Sequence, residues 1–343
     1  MSAGDSLLET LESLDVARCF VFRDAASGLF AVLVIDNVTL GPAAGGVRTW
    51  RYESAGEAAA DAARLARAMT IKCSLAGLDA GGGKMVVMDH PGLDRERAFA
   101  VLGQRVEELG GLFRTAGDLG TRGEDVETMA RHTRFAHTGE GGLAAAVARG
   151  LGRCIESAAA LRGRSLDGLS VAVQGAGAIG GAAARELAAR GARVRVADTD
   201  AARARAVADA TGASVVPTDQ VLESDVDVIA PCAVGGVVDR GVAARLSAWC
   251  VAGAANGVLA SEDAAEELRR RGILHVPDEI ASAGAVVDGI GSTVMGLEDR
   301  TALIDRLGDT AREVLERAAA EGATPSRIAE RIARERIAAR RGG

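Results

Sequence analysis

Ser170-Val-Ala-Val-Gln-Gly-Ala-Gly-Ala-Ile-Gly180 is the stretch that decides how this chain folds. Ser170–Val173 reads as a buried strand. Glycines 175, 177 and 180 then follow in G-x-G-x-x-G spacing, and residues 181–190 continue as an alanine-rich helical pattern. A strand that enters a helix through such a turn suits a dinucleotide. Gly175 permits the tight turn, Gly177 lets backbone approach a pyrophosphate, and Gly180 lets helix and strand pack closely. The helix N-terminus, where Ala178 and Ile179 lie, then faces the phosphates. The next strand ends at Asp198. A carboxylate there accepts from ribose hydroxyls and repels a 2′-phosphate, which favours NAD. Arg203 and Arg205, a few positions on, keep NADP as the alternative.

Working outward, strand-like runs recur at residues 194–197, 226–230, 249–252 and 273–276, with Ala- and Arg-rich helical segments between several of them. Repeated β-α alternation predicts an α/β fold, a doubly wound, mostly parallel sheet with helices on both faces. Residues 138–306 are assigned to this nucleotide-binding domain. Residues 1–137 are expected to form a separate α/β substrate and catalytic domain, with a cleft between the two and helices from about 307 to 343 packing back. In that first part residues 30–35 read as a strand. Ser54-Ala-Gly-Glu57 has capping-box form. The helix it opens would carry Leu65 and Met69 on one face and run toward Lys72. Residues 84–88 look like a buried strand, and Pro325 starts a C-terminal helix.

The bulk properties narrow the class. A length of 343 residues, 48 % apolar and 25 % charged, suits two globular domains. A net charge of −7 argues against nucleic-acid binding. No apolar run has membrane length and no signal-like N-terminus is evident, so no membrane role is expected. Five cysteines without CxxC spacing suit reduced thiols and a cytoplasmic protein. His132 and His137 have no HExxH context, so no metal site is expected. The C-terminal arginines alternate with Glu330 and Glu335 and read as a solvated helix face.

The reactive groups are sought in the first domain. Met69-Thr-Ile-Lys-Cys-Ser-Leu-Ala-Gly-Leu-Asp-Ala-Gly-Gly-Gly-Lys84 places two lysines in apolar, glycine-rich surroundings. Glycines admit a ligand or a neighbouring backbone, and a lysine held there can be desolvated and its pKa lowered. Leu40-Gly-Pro-Ala-Ala-Gly-Gly46 offers a second glycine-rich surface. Arg114-Thr-Ala-Gly-Asp-Leu-Gly120 carries Asp118 between glycines. Neither lysine has a suited i+4 acid, which disfavours a simple surface ion pair.

Together with Ala230-Pro-Cys-Ala-Val-Gly-Gly236, Val251-Ala-Gly-Ala-Ala-Asn256 and Arg271-Gly-Ile-Leu-His-Val-Pro-Asp278, these segments run nearly end to end in one order. In that order the chain resembles the Glu/Leu/Phe/Val dehydrogenase family, the NAD-dependent L-amino-acid dehydrogenases, and within it the phenylalanine and leucine enzymes. The resemblance implies reversible oxidative deamination of a hydrophobic or aromatic L-amino acid to its 2-oxo acid, ammonium and NADH. It implies that Lys72 binds the substrate carboxylate, Lys84 activates water at the imine carbon, and Asp118 relays protons of the amine. Gly45, Gly46, Leu40, Ala116, Val286 and Gly289 align with substrate positions. Cys232, Ala233, Ala255 and Asn256 join the glycines and Asp198 around the cofactor. A homo-oligomer is implied as well.

The chain departs from the family in three places. Thr138-Gly-Glu-Gly-Gly-Leu143 is short, and Leu143 or a neighbour replaces an expected hydroxyl residue. The family's Ala-Ala-Asn-Asn ends here in Ala255-Asn256-Gly257, and its Asn-Ala-Gly-Gly becomes Ser282-Ala-Gly-Ala285. Gly289 stands where leucine-type enzymes carry a branched residue, which implies a bulkier substrate side chain. Two other readings share the motifs: a biosynthetic NAD-dependent dehydrogenase of a nonstandard amino or imino acid, and an NAD-binding homologue without turnover.

Overall fold

The structure, a computed structural model, describes Leu14 and residues 18–139 and 142–341. Glu140 and Gly141 of the short 138–143 segment lie outside the described residues. The chain divides into two units, Met1–Gly139 with Gly289–Leu297 and Arg336–Gly343, and Glu140–Asp288 with Glu298–Glu335. Of residues 307–343, only Arg336–Gly343 falls in the first unit.

In the first unit β1 (Arg18–Asp24) and β2 (Leu29–Asn37) form an antiparallel hairpin, turned at Gly28 with φ +71°. Short strands β3 (Ala43–Ala44) and β4 (Val47–Trp50) follow, then helix α1 (Ala55–Leu75). The unit continues with β5 (Gly81–Met88), α2 (Arg95–Glu108), β6 (Phe113–Arg114) and α3 (Gly123–Ala130). The sheet runs β1-β2-β5-β3-β6, with β4 also paired to β5.

Side chains alternate across a strand, so one register decides two cores. Leu33, Ile35, Met85 and Val87 turn to one face, against Phe99 and Leu102 of α2 and Phe113. Val32, Val34 and Val86 turn to the other, against Ala58, Ala59, Ala62 and Ala66 of α1. Lys84 is two residues from Val86 and pairs with Val34, so it shares the α1 face. The helix comes that close because its buried stripe is alanine. Leu65 and Met69 share a face as their spacing predicts, but that face is only half buried. The Ser54 side chain caps Glu57 N at 3.1 Å, while the Glu57 carboxylate accepts from Glu53 N, one residue earlier than in the usual box.

The strand holding Lys84 begins at Gly81, not at Lys84. A Cβ on Gly82 would sit 2.3 Å from Ala66 O and 2.2 Å from Thr70 N of α1. The glycine is therefore what lets helix and strand touch, and it carries the Lys72 turn of α1 toward the face of Lys84.

The second unit contains α4 (Leu143–Ala160), β7 (Ser170–Gln174), α5 (Ala178–Ala189), β8 (Arg193–Ala197), α6 (Ala201–Thr211) and β9 (Ser214–Val215). Then come β10 (Val228–Pro231), α7 (Arg240–Arg245), β11 (Cys250–Ala252), α8 (Glu262–Arg270), β12 (Leu274–Val276) and α9 (Asp278–Ala281). Helices α10 (Gly284–Met295), α11 (Thr301–Glu321) and α12 (Pro325–Arg341) close the chain. The sheet order is β12-β11-β10-β7-β8-β9, all parallel. Counted from β7, that is the doubly wound order 3-2-1-4-5-6, with the chain reversing direction across the sheet between β7 and β10. Strand β9, two exposed residues, is the one that the sequence pattern does not reveal. Asp305 of α11 binds Arg149 at 2.6 and 2.7 Å and Arg153 at 3.0 Å, both on α4. No described helix is long and apolar enough to cross a membrane.

Candidate active site

The first unit gathers a charged cluster at the edge of its core. Lys84 Nζ lies 2.7 Å from Asp118 Oδ2, with the lysine side chain 7 % exposed. The Lys84 pKa is lowered. Burial is the main cause, Asp118 opposes it, and the cations Arg48 and Lys72 add to it. Burial alone would raise the Asp118 carboxyl, but Lys84 and Arg48 outweigh it and hold it below the ordinary carboxylate range. The pair stores a base and an acid partner in a desolvated place, as proton transfer needs.

The backbone brings these groups together. Gly46 packs against Asp118, where an added Cβ would meet Asp118 Cβ at 2.9 Å. A Cβ on Gly45 would lie 1.7 Å from Gly83 O, so this glycine is required by the contact between two strand ends whatever binds above it. Ala116 O accepts from Val47 N at 2.9 Å, which lays the Asp118 loop beside β4. Leu40 is buried. Lys72 lies in the last turn of α1, half buried. A Cβ added at Gly289 would meet only His137 Cδ2, at 3.7 Å, so room for a side chain lies beside it. Val286 belongs to the second unit.

One residue of the cluster escapes a motif reading. Arg48 Nε binds the same Asp118 Oδ2 at 3.1 Å, and its Nη1 binds Asp61 Oδ2 at 3.1 Å. Tyr52 OH also donates to Asp61 Oδ2, at 2.8 Å. The available signal is an arginine between Val47 and Thr49, both buried, on a strand that follows two glycines. Lys72 and Lys84 are also the only two lysines in the chain.

In the second unit the glycine turn has the expected form. Gly175 takes φ +101°, closed to other residues without strain. A Cβ on Gly180 would lie 1.9 Å from Gly175 O, so α5 rests directly on the turn. Nothing lies within 4 Å of a Cβ on Gly177, and no side chain caps the helix that starts at Ala178. Helix-end amides with open space before them suit an anion. Asp198 directly follows β8, which ends one residue earlier than the pattern suggests, and accepts from Ala176 N at 2.7 Å and Asp200 N at 2.8 Å. These backbone donors hold its carboxyl below the ordinary range, so it is charged. Cys232 N donates to Gln174 O at 2.7 Å, and Ala233 touches the Gly175 turn, placing both beside the β7–β10 reversal. Ala255 is buried and donates its amide to Pro231 O, while Asn256 is exposed. Gly257, with φ +65°, donates to Asp278 Oδ2 at 2.8 Å, and the Ser282 hydroxyl turns to Asp278 O at 2.7 Å. The residues present thus fit a dinucleotide.

Comparison with known proteins agrees. The profile of the Glu/Leu/Phe/Val dehydrogenase dimerisation domain matches residues 19–135, and that of Glutamate/Leucine/Phenylalanine/Valine dehydrogenase matches residues 195–298. Leucine dehydrogenase of Thermoactinomyces intermedius is 34 % identical over 96 % of this chain and 93 % of its own. Valine dehydrogenase of Streptomyces coelicolor is 36 % identical over 92 % and 90 %. The crystal structure of L-tryptophan dehydrogenase from Nostoc punctiforme superposes with a TM-score of 0.87 and 31 % identity, covering 98 % of this chain and 100 % of that one.

Proposed function

The chain belongs to the Glu/Leu/Phe/Val dehydrogenase family, and on that premise we propose that it carries out reversible NAD-dependent oxidative deamination of a hydrophobic or aromatic L-amino acid. It is an amino-acid dehydrogenase, an oxidoreductase acting on CH–NH2 with a nicotinamide cofactor. The products are the 2-oxo acid, ammonium and the reduced cofactor.

The observation that carries this reading is the buried Lys84–Asp118 pair in a chain with only two lysines. Arginine serves every other basic position, and arginine cannot give up its proton in a protein. Lysine is kept where a cation must titrate or bind as a compact charge. Lys72 pairs with the substrate carboxylate. Lys84, once neutral, takes a proton from the water that attacks the imine carbon. Asp118 holds the amine and exchanges its proton as ammonium leaves. When bound, the nicotinamide cofactor supplies the hydride acceptor. Gly175, Gly177, Gly180 and the amides of Ala178 and Ile179 would hold its phosphates, with Cys232, Ala233, Ala255 and Asn256 around it. The charged Asp198 supports NAD over NADP, because a 2′-phosphate would meet a carboxylate. The space beside Gly289 supports a large apolar side chain. The match of residues 19–135 to a dimerisation domain supports a homo-oligomer.

NADH formation at alkaline pH with a panel of L-amino acids, beside Lys84→Ala, tests this reading. Turnover on leucine, phenylalanine or tryptophan that the variant loses supports it. Cofactor binding without turnover on any amino acid overturns it.

A further inference from the structure

The Asp118 carboxylate stands on an exposed loop, where the Leu119 amide is a backbone donor to it. Gly117, Leu119 and Gly120 around it are exposed, and Gly120 takes φ +75°. Two cations fix it, Lys84 at 2.7 Å and Arg48 at 3.1 Å, both on Oδ2. They are not equivalent. A lysine must be a neutral amine before it can act as base, and in that state its charge no longer holds the aspartate. The guanidinium of Arg48 stays charged throughout.

Arg48 is itself held. Its Nη1 binds Asp61 on α1, the helix that also bears Lys72. Asp61 is fixed in turn by Tyr52 OH at 2.8 Å and Arg64 Nη2 at 2.5 Å. Side chains of Arg48 and Asp61 are each 18 % exposed, which sets this chain of contacts apart from solvated surface pairs. It joins the lysine-bearing helix, strand β4 and the Asp118 loop through fork-shaped, charge-assisted bonds.

We propose that Arg48 is a positioning residue: clamped by Asp61, it holds Oδ2 of Asp118 in both protonation states of Lys84, so that Oδ1 meets the substrate amine. This rests on the amino-acid dehydrogenase reading above. The groups facing Lys84 are Asp118 from its loop, Arg48 from β4 and Lys72 from α1. Removing Arg48 deletes a cation that repels Lys84 and one that competes with it for Asp118 Oδ2. Both effects raise the pH at which Lys84 loses its proton.

The test compares wild type, Arg48→Met and Arg48→Lys by steady-state kinetics, and the first two by 13C spectra of ε-carbon-labelled lysine. With two lysines in the chain, two signals report Lys72 and Lys84, assigned with Lys84→Ala. In Arg48→Met, kcat should fall by about tenfold to hundredfold with KM for the amino acid little changed. The acid limb of kcat/KM and the Lys84 midpoint should both move to higher pH. Arg48→Lys should restore the limb more than kcat, since it returns a charge without the fork. Melting and NADH binding separate these effects from misfolding. An Arg48→Met enzyme with wild-type kcat, or one that is slower with limb and midpoint unmoved, overturns the proposal. If wild type oxidises no amino acid, the functional reading fails, and the Lys84 midpoint still decides whether Arg48 acts on the pair.

Discussion

Lys84 and Asp118 meet at 2.7 Å although they lie far apart in the chain, one on a strand buried on both faces and the other on an exposed glycine-flanked loop. The pair sets the protonation of both partners. Asp118 works against the burial of Lys84, and Lys84 works against the burial of Asp118.

Replacing Asp118 by Asn should therefore act on Lys84 in a defined direction. Asp118 raises the Lys84 pKa, so its loss lowers it further. The wild-type acid limb of kcat/KM should already lie below the ordinary lysine value of about 10.4. In Asp118→Asn it should move lower still, while kcat drops about 10²- to 10⁴-fold. A limb that stays put or rises would show that Lys84 is not the titrating base.

Gly177 and Gly180, two of the three glycines of the turn, should part company on substitution. Gly180→Ala drives a Cβ to 1.9 Å from Gly175 O, a backbone atom that cannot give way cheaply. It should destabilise the protein by about 1–3 kcal/mol and weaken NADH binding as well. Gly177→Ala meets open space, so its melting temperature should match wild type while NADH affinity falls. Equal NADH affinity in Gly177→Ala, measured by fluorescence titration, would remove the pyrophosphate from this turn.

His275 makes stability depend on pH. It is buried on β12, and neither ring nitrogen has a hydrogen-bond partner among the described residues. Burial lowers its pKa to about 4, with Asp278 opposing. The unfolded chain binds that proton near the ordinary value of about 6.5. Between these limits the unfolded state holds more protons, so stability falls as pH drops from about 6.5 to about 4. His275→Phe should flatten that slope in denaturant melts and stabilise by about 1 kcal/mol or more at pH 5. An unchanged slope means His275 does not carry it.

Space beside Gly289 should set substrate size. Gly289→Leu fills room bounded by His137. It should lower kcat/KM for tryptophan or phenylalanine about tenfold or more relative to valine, a difference of about 1–3 kcal/mol of pocket contact. Parallel losses for large and small substrates would place Gly289 away from the side-chain pocket.

The parts legible in the sequence are those decided locally. The turn at Gly175, Gly177 and Gly180 is one strand, one bend and one helix start, and its chemistry is written in contiguous residues. Lys84 and Asp118 stand out by their glycine-rich surroundings. Arg48 does not, because its meaning lies in contacts 13 and 70 residues away. The pattern alone starts β5 at Lys84 because glycines weaken a strand on their own, and only α1 and the neighbouring strands extend it back to Gly81. In α1 the larger residues Leu65 and Met69 suggest the packed face, yet the close approach needed there selects alanine for it.

The glycines at 81–83 also say something about descent. A Cβ on Gly81 would lie 1.8 Å from Asn37 O, one on Gly82 collides with α1, and one on Gly83 crowds Phe113. Packing alone forbids a side chain at Gly81 and Gly82, whether or not any reaction takes place, while at Gly83 the Phe113 ring would have to shift by a few tenths of an ångström. A descendant that had lost its catalysis would still need Gly81 and Gly82 for packing and could let Lys84 or Asp118 drift. On the proposed mechanism, a lysine kept after the glycines would point to catalysis, while Gly81 and Gly82 by themselves would point only to the packing of strand on helix.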